Sequence, residues 1–183
     1  PLQLVALLNL PLGIAQGWLE PRVASPRPTL DGQAFLPPHD PSGWFLIRTL
    51  EGVAHPGDVI AEAAGDAYQA YTRLAMHTGL PTVVGWEWHL RQRGQSQLEV
   101  LTRRAELATL YAGDDTAARR HVLDRHRVAW VAVGDLERST YDLGASDPLA
   151  HVPGILTLTR RGPVRLEAVL TPHDPQLVSG GSR

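Results

Sequence analysis

Three short stretches hold most of the residues in this sequence that could do chemistry. Glu62, Asp66 and Tyr68 fall in the first, and Trp86, Glu87, Trp88, His89, Arg91 and Arg93 in the second. Asp135, Glu137, Arg138 and Tyr141 make the third. The mix is aromatic rings, carboxylates and guanidinium groups. Rings pack on apolar faces, carboxylates accept hydroxyl protons, and Arg grips phosphate or carboxylate with a two-pronged fork. A sugar or an anionic head group would need such a set. A plainer reading stands beside this one. Trp86 and Trp88 can be packing residues and His89 a structural histidine. Glu62 with Arg93, or Glu137 with Arg138, can be ion pairs that only hold loops.

Several other chemistries are excluded. No GxSxG elbow positions an acyl-transfer serine. No GxxxxGK[ST] loop cradles phosphates, and every basic residue is Arg, so that loop's lysine is missing as well. GxGxxG is absent after the first strand. His121 and His126 are five apart, which does not place both on one helix face for zinc. Asp114-Asp115 lacks the other oxygen ligands of a calcium loop and reads as a helix cap. With no cysteine there is neither a disulfide nor a thiolate metal site. No metal or cofactor site is expected. The formal net charge is −2, so there is no basic excess to neutralise phosphates, and nucleic acid is not an expected partner.

The elements that must position these residues follow from periodicity. Asp40-Pro41 starts a helix carrying Trp44, Ile47 and Leu50, with Gly52 to end it. Residues 58–64 read as a strand. Asp66 can cap a helix that closes at Gly79, and residues 81–86 (PTVVGW) read as the second strand. Ser96 and Glu99 form a capping-box pattern. Leu98, Leu101, Ala105 and Ala108 then mark one face of a helix ending at Gly113. Asp114 or Asp115 caps a further helix to about residue 127. VAWVAVG (128–134) is a continuous apolar strand of the doubly buried kind. ILTLTRR and VRLEAVL flank Gly162-Pro163 as a hairpin, although Gly-Pro is not a favoured two-residue turn. The expected fold is α/β: a small Rossmann-like three-layer domain with a mostly parallel sheet and a C-terminal β-hairpin. The three chemical stretches follow its three parallel strands, where ligands of open α/β sheets bind.

The chain has 183 residues, enough for one domain with extra segments. Residues 1–19 are apolar and uncharged up to Leu19, read either as the end of a membrane helix with an interfacial Trp18 or as a helix on a soluble core. Residues 20–40 are Pro-rich and read as an extended linker. The α/β domain is expected over 41–172, with a polar, flexible tail over 173–183. The sequence begins at Pro1 and its single Met is Met76, which reads as a piece of a longer protein.

Beyond periodicity, EAAGDAY…TGLPTVVGW..H…RG, followed by VAWVAVGDLER..Y, resembles the YYY-domain family of bacterial and archaeal multi-spanning membrane proteins. These are GT-C-like glycosyltransferases that use polyprenyl-phosphate sugars. The resemblance spans residues 28–170 and is carried by Glu62, Gly65, Tyr68, Arg73, Gly85-Trp86, His89, Arg93-Gly94, Glu137-Arg138 and Tyr141. Leu90 stands where the family carries Glu. The resemblance implies a domain on the extracytoplasmic face of the cell membrane, packed on the membrane part of the same polypeptide. It would assist binding of a lipid-linked sugar or a glycan acceptor without being catalytic itself. The substrate-binding set is then Glu62, Asp66, Tyr68, Arg73, Trp86, His89, Arg93, Glu137, Arg138 and Tyr141. Two alternatives stay open: a free-standing glycan-processing enzyme using Glu62 or Glu137 as acid/base, and a purely structural module.

Overall fold

The computed structural model describes residues 30–144 and 147–170. Residues 1–19 and 173–183, and the linker up to 29, lie outside the described residues. The chain divides into two compact units, Pro1–His39 and Asp40–Arg183. Within the first, α1 (Leu36–His39) is a single turn inside the expected extended linker. Its Pro37 and Pro38 fall in the first turn, where the missing N–H groups have no intrahelical partner to lose. Among the described residues no helix is long and apolar enough to cross a membrane.

The second unit starts as its sequence dictates. Asp40 accepts the Gly43 N–H at 2.8 Å and caps α2 (Pro41–Val53). Leu46, Ile47 and Leu50 form its buried stripe. After it come β1 (Val59–Ala61), α3 (Arg73–Thr78), α4 (Glu87–Gln92), α5 (Gln97–Ala112), α6 (Thr116–His126), β2 (Val128–Val133), α7 (Asp135–Tyr141), β3 (Ile155–Arg161) and β4 (Val164–Val169). The sheet order is β1-β2-β4-β3. β1 runs parallel to β2, whereas β4 is antiparallel to both β2 and β3. The fold is therefore α/β with a four-stranded mixed sheet, not a mostly parallel one.

The expected second strand is the reason. Residues 81–86 make only one parallel bridge, Thr82 to Ile60, beside β1. Pro81 has no N–H to give a ladder, and helix α4 begins at Glu87 before the segment can extend. The helix expected from Asp66 is likewise confined to α3, and residues 67–72 form turns and bends. A helix not anticipated, α7, follows β2 directly. The hairpin is present, with Gly162 at φ 60. A positive φ at the first loop position is what a type II′ turn requires, and Pro163 supplies the fixed negative φ after it.

In an antiparallel ladder, directly opposed residues share a face. Val131 and Val133 thus share one with Glu167 and Arg165. That face packs under α5 and α6 through Leu107, Leu110, Tyr111, Val122 and Leu123. Ile60, Ala132 and Leu166 point the other way and are buried on the side of α2, which packs on β4. On α5 the buried positions are Val100, Leu107, Leu110 and Tyr111. Leu98, Leu101, Ala105 and Ala108, the face marked by apolar spacing, point outward instead.

Tyr111 ties helix to sheet. Its hydroxyl lies 2.9 Å from Ala61 O on β1 and 2.8 Å from Ala132 O on β2, deep in the core. Burial raises its pKa well above the usual phenol value, so it stays a donor. Tyr111→Phe leaves both carbonyls without this donor and should cost about 1–3 kcal/mol. Chemical denaturation of the variant should show a lower midpoint with an unchanged slope.

Candidate functional site

The loops at the carboxyl ends of β1 and β2 build two layers. The lower layer is buried. Glu62, just past β1, is 1% exposed and Glu137, on α7, is 0% exposed. Between them lies Arg73, itself 4% exposed at the start of α3. Its two terminal nitrogens donate to Glu137 Oε1 at 3.0 Å and Oε2 at 3.2 Å, an end-on fork. Glu137 also accepts the Ala63 N–H at 3.0 Å and the Gly134 N–H at 2.9 Å. Arg73 Nε lies 2.9 Å from Asp40 Oδ2, an ion contact without hydrogen-bond direction. Glu62 accepts the Leu74 N–H at 2.9 Å and the Ala75 N–H at 3.0 Å, both from the first turn of α3. Tyr141 stacks on Tyr111 with ring centroids 4.6 Å apart, and its hydroxyl accepts the Ala64 N–H at 3.4 Å.

Electrostatics in this layer follow from burial. Burial pushes Glu62 up to about 7, against the opposing pull of the Ala75 and Leu74 N–H groups and of Arg73. Burial opposes the charge on Arg73, but the Glu137 carboxylate beside it more than reverses that, so the guanidinium is held above its ordinary value. Burial pushes Tyr141 up to about 12. This layer thus holds the Arg73–Glu137 ion pair, and at neutral pH Glu62 is poised between its acid and its carboxylate.

The upper layer faces solvent. Tyr68 is 79% and Trp88 54% exposed. With Asp66, Ala67, Glu87 and Arg91 they line an open cleft of about 360 Å³. Tyr68, Trp86 and His89 form a triangle with ring centroids 5.1–5.4 Å apart. His89 Nε2 lies 3.0 Å from the Tyr68 hydroxyl. The Arg91 guanidinium sits 5.9 Å from the Trp88 ring centre, a cation–π distance. Glu87 is held by Arg104 of α5 at 2.7 Å.

The loop between the layers is strained. Tyr68 has φ 62 and Thr72 φ 61, left-handed conformations that side-chain-bearing residues avoid. For β-branched Thr72 the cost is on the order of 1–3 kcal/mol. Three contacts hold the loop there. The Tyr71 carbonyl accepts the Trp86 indole N–H at 2.9 Å and the Thr72 hydroxyl at 2.6 Å. The Tyr71 ring lies against Gly65, where a Cβ would come within 2.2 Å of it.

The ten residues singled out in sequence thus separate. Asp66 and Tyr68 line the cleft, and Trp86 and His89 back it. Glu62, Arg73, Glu137 and Tyr141 lie in the buried network beneath. Arg93 is exposed at the end of α4, where its N–H caps the His89 carbonyl. Arg138 reaches Gly144 O at 2.7 Å and Pro163 O at 3.0 Å, fastening α7 to the hairpin turn. The suggested ion pairs are replaced: Glu137 pairs with Arg73 instead of Arg138, and Glu62 with backbone N–H groups instead of Arg93. Glu87, Trp88 and Arg91, which neighbour the singled-out positions, belong to the cleft. Asp40 was read only as a helix cap, and Tyr71 and Tyr111 carried no signal beyond their residue type. Among the described residues no three His, Asp or Glu side chains gather as metal ligands. Comparison of the sequence with protein-family models and with curated proteins finds no match.

Two measurements test the buried layer. Arg73→Met leaves Glu137 charged, buried and unpaired, and should destabilise by about 3–5 kcal/mol. Denaturant unfolding of that variant checks this. Glu62 in the folded chain holds its proton up to about pH 7, whereas the unfolded chain releases it near 4.5, the ordinary value of a free glutamate. The unfolded state therefore binds fewer protons in that window, and stability falls as pH rises through it. Glu62→Gln should flatten this part of the melting-temperature profile between those pH values, whatever its absolute stability.

Proposed function

We propose that this chain is a binding domain for a saccharide or a lipid-linked sugar, and that it is the water-exposed part of a glycosyltransferase-like membrane protein. The observation that carries the binding reading is Tyr68, a ring held almost bare to water on a left-handed backbone at the lip of a cleft. A ring left this exposed buries little surface for the fold, and strain of this kind collects where ligands are clamped. Trp88 offers a second ring, Asp66 a carboxylate for hydroxyl groups and Arg91 a guanidinium for an anion. An aromatic platform with a few convergent polar groups is the usual dress of a carbohydrate site.

The membrane setting rests on the motif resemblance alone. On that resemblance the domain would sit on the extracytoplasmic face, against the membrane part of its own polypeptide. The reading as a free-standing acid/base enzyme is less favoured. Glu62 and Glu137, its two candidate carboxylates, are sealed under the loops at 1% and 0% exposure and committed to backbone and Arg73 partners. The purely structural reading suits those buried residues but leaves the cleft unexplained.

Binding is tested by following tryptophan and tyrosine resonances while the chain is titrated with soluble mono- and oligosaccharides and with a short-chain polyprenyl-phosphate sugar. Tyr68→Ala and Trp88→Ala should each weaken binding about tenfold, or ~1.4 kcal/mol. Both exposed positions should leave stability within about 0.5 kcal/mol. Binding that is unaltered in both variants, or no binding by the parent chain to any of these ligands, would sink the proposal.

A further inference from the structure

The two buried glutamates beneath the cleft are held differently. Glu137 carries the guanidinium fork, and Glu62 does not. Glu62 is 1% exposed and accepts the Leu74 and Ala75 N–H groups at 2.9 and 3.0 Å. The charged and titratable groups facing it are Arg73 from α3, Glu137 from α7 and Tyr111 from α5. Asp40, ahead of α2, stands against Arg73, and the β2 sequence VAWVAV offers no ionisable side chain. Arg73 is shared with Glu137 and Asp40, so its pull on Glu62 is partial. An ionised carboxyl here gives up its water for two neutral N–H groups, and burial outweighs them. Any local opening that returns water to Glu62 is therefore favoured once the group has lost its proton.

The segment above Glu62 already carries the strain that such an opening would release. Leu74 and Ala75 lie in the first turn of α3, a helix of six residues. Thr72, directly before that turn, has φ 61 and no side-chain cap. Freeing the turn lets Thr72 return to an ordinary backbone conformation, and the loop back to Tyr68, itself at φ 62, can relax with it. The Tyr68 ring is 79% exposed and buries little to resist this.

We propose that Glu62 is a proton-operated latch on the cleft. With its proton in place it stays beneath α3, the two N–H groups remain docked on its oxygens, and Tyr68 is presented at the lip. When the proton leaves to solvent, the carboxylate draws in water, the first turn of α3 lets go, and the loop carrying Tyr68 relaxes. The functional side of this inference rests on the reading of the cleft as a saccharide site. A ligand gripped by Tyr68 is held in mild acid and released toward neutral pH. By reciprocity, a bound ligand keeps the proton on Glu62.

Amide hydrogen exchange of the chain without ligand tests the latch, so its outcome is independent of the saccharide reading. Protection of the Leu74 and Ala75 amides, corrected for the intrinsic pH dependence of exchange, should fall roughly tenfold between pH 5.5 and pH 7 and level off above. Denaturant below the unfolding transition should leave these two amides unchanged while it speeds exchange of the buried β2 amides, because the opening is local. Glu62→Gln should abolish the pH profile. The Tyr68 ring resonances, displaced by the Trp86 and His89 rings 5.4 and 5.2 Å away, should move toward free-tyrosine positions over the same range. Any part of that movement left in Glu62→Gln belongs to His89, whose Nε2 lies 3.0 Å from the Tyr68 hydroxyl. Flat protection in the parent chain overturns the latch, whether or not the Gln variant folds. So does exchange of Leu74 and Ala75 that follows β2 in denaturant, a profile that persists in Glu62→Gln, or a Tyr68 ring that stays fixed while the two amides open.

Discussion

A guanidinium buried to 4% exposure is tolerable only if its charge is met at close range, and the Arg73–Glu137 fork meets it. Removing either ion from water costs several kcal/mol, and the attraction between them offsets this only where the remaining hydrogen-bond positions are filled. Here they largely are. Glu137 takes two backbone N–H groups besides the fork, and Asp40 stands against Arg73 Nε. The consequence is positional. Asp40 precedes α2, Arg73 begins α3, Ala63 follows β1, and Glu137 sits on α7. One ion pair thus fixes the relative placement of four segments at the carboxyl end of the sheet. A hydrophobic replacement could match its energy but not its directionality.

Glu62 adds a second constraint on the same helix. It meets the first N–H groups of α3, which have no partner within the helix. That matters because α3 is six residues long and follows Thr72, whose left-handed backbone and lack of a side-chain cap give the helix a poor start. The buried carboxyl does the capping that the local sequence does not. The strained loop is held on its far side by the Trp86 indole and by the fit of Tyr71 against Gly65. The polar interior and the bare aromatic rim are therefore coupled. The lower layer sets where the loop ends, and the upper layer presents Tyr68 and Trp88 to solvent.

Local rules carried much of the fold. Asp40, Ser96 and Asp115 each accept a backbone N–H at the start of the helix they were read to cap. VAWVAVG forms a strand because β-branched apolar residues have no better place than a sheet covered on both sides. These signals act within a few residues of their cause. The failures share one character. PTVVGW has strand composition, yet a strand also needs a neighbour to pair with along its length, and α4 starts too soon. Leu98, Leu101, Ala105 and Ala108 have helical spacing, but spacing marks a stripe without saying which stripe turns inward. Val100, Leu107, Leu110 and Tyr111 form an equally regular one and are the face that is buried.

The candidate site divides along the same line. From sequence alone came the three stretches and the kinds of group in them, since strand ends and residue types are local properties. Which members touch solvent was decided by folding. Glu62 and Glu137 are as acidic in sequence as Asp66 and Glu87, but the first two lie beneath the loops and the others line the cleft. The partner of Glu137 is 64 residues away at Arg73, not beside it at Arg138. No periodicity encodes a contact across that distance. It exists because β1 and β2 lie side by side in the sheet and bring the segments that follow them to one edge.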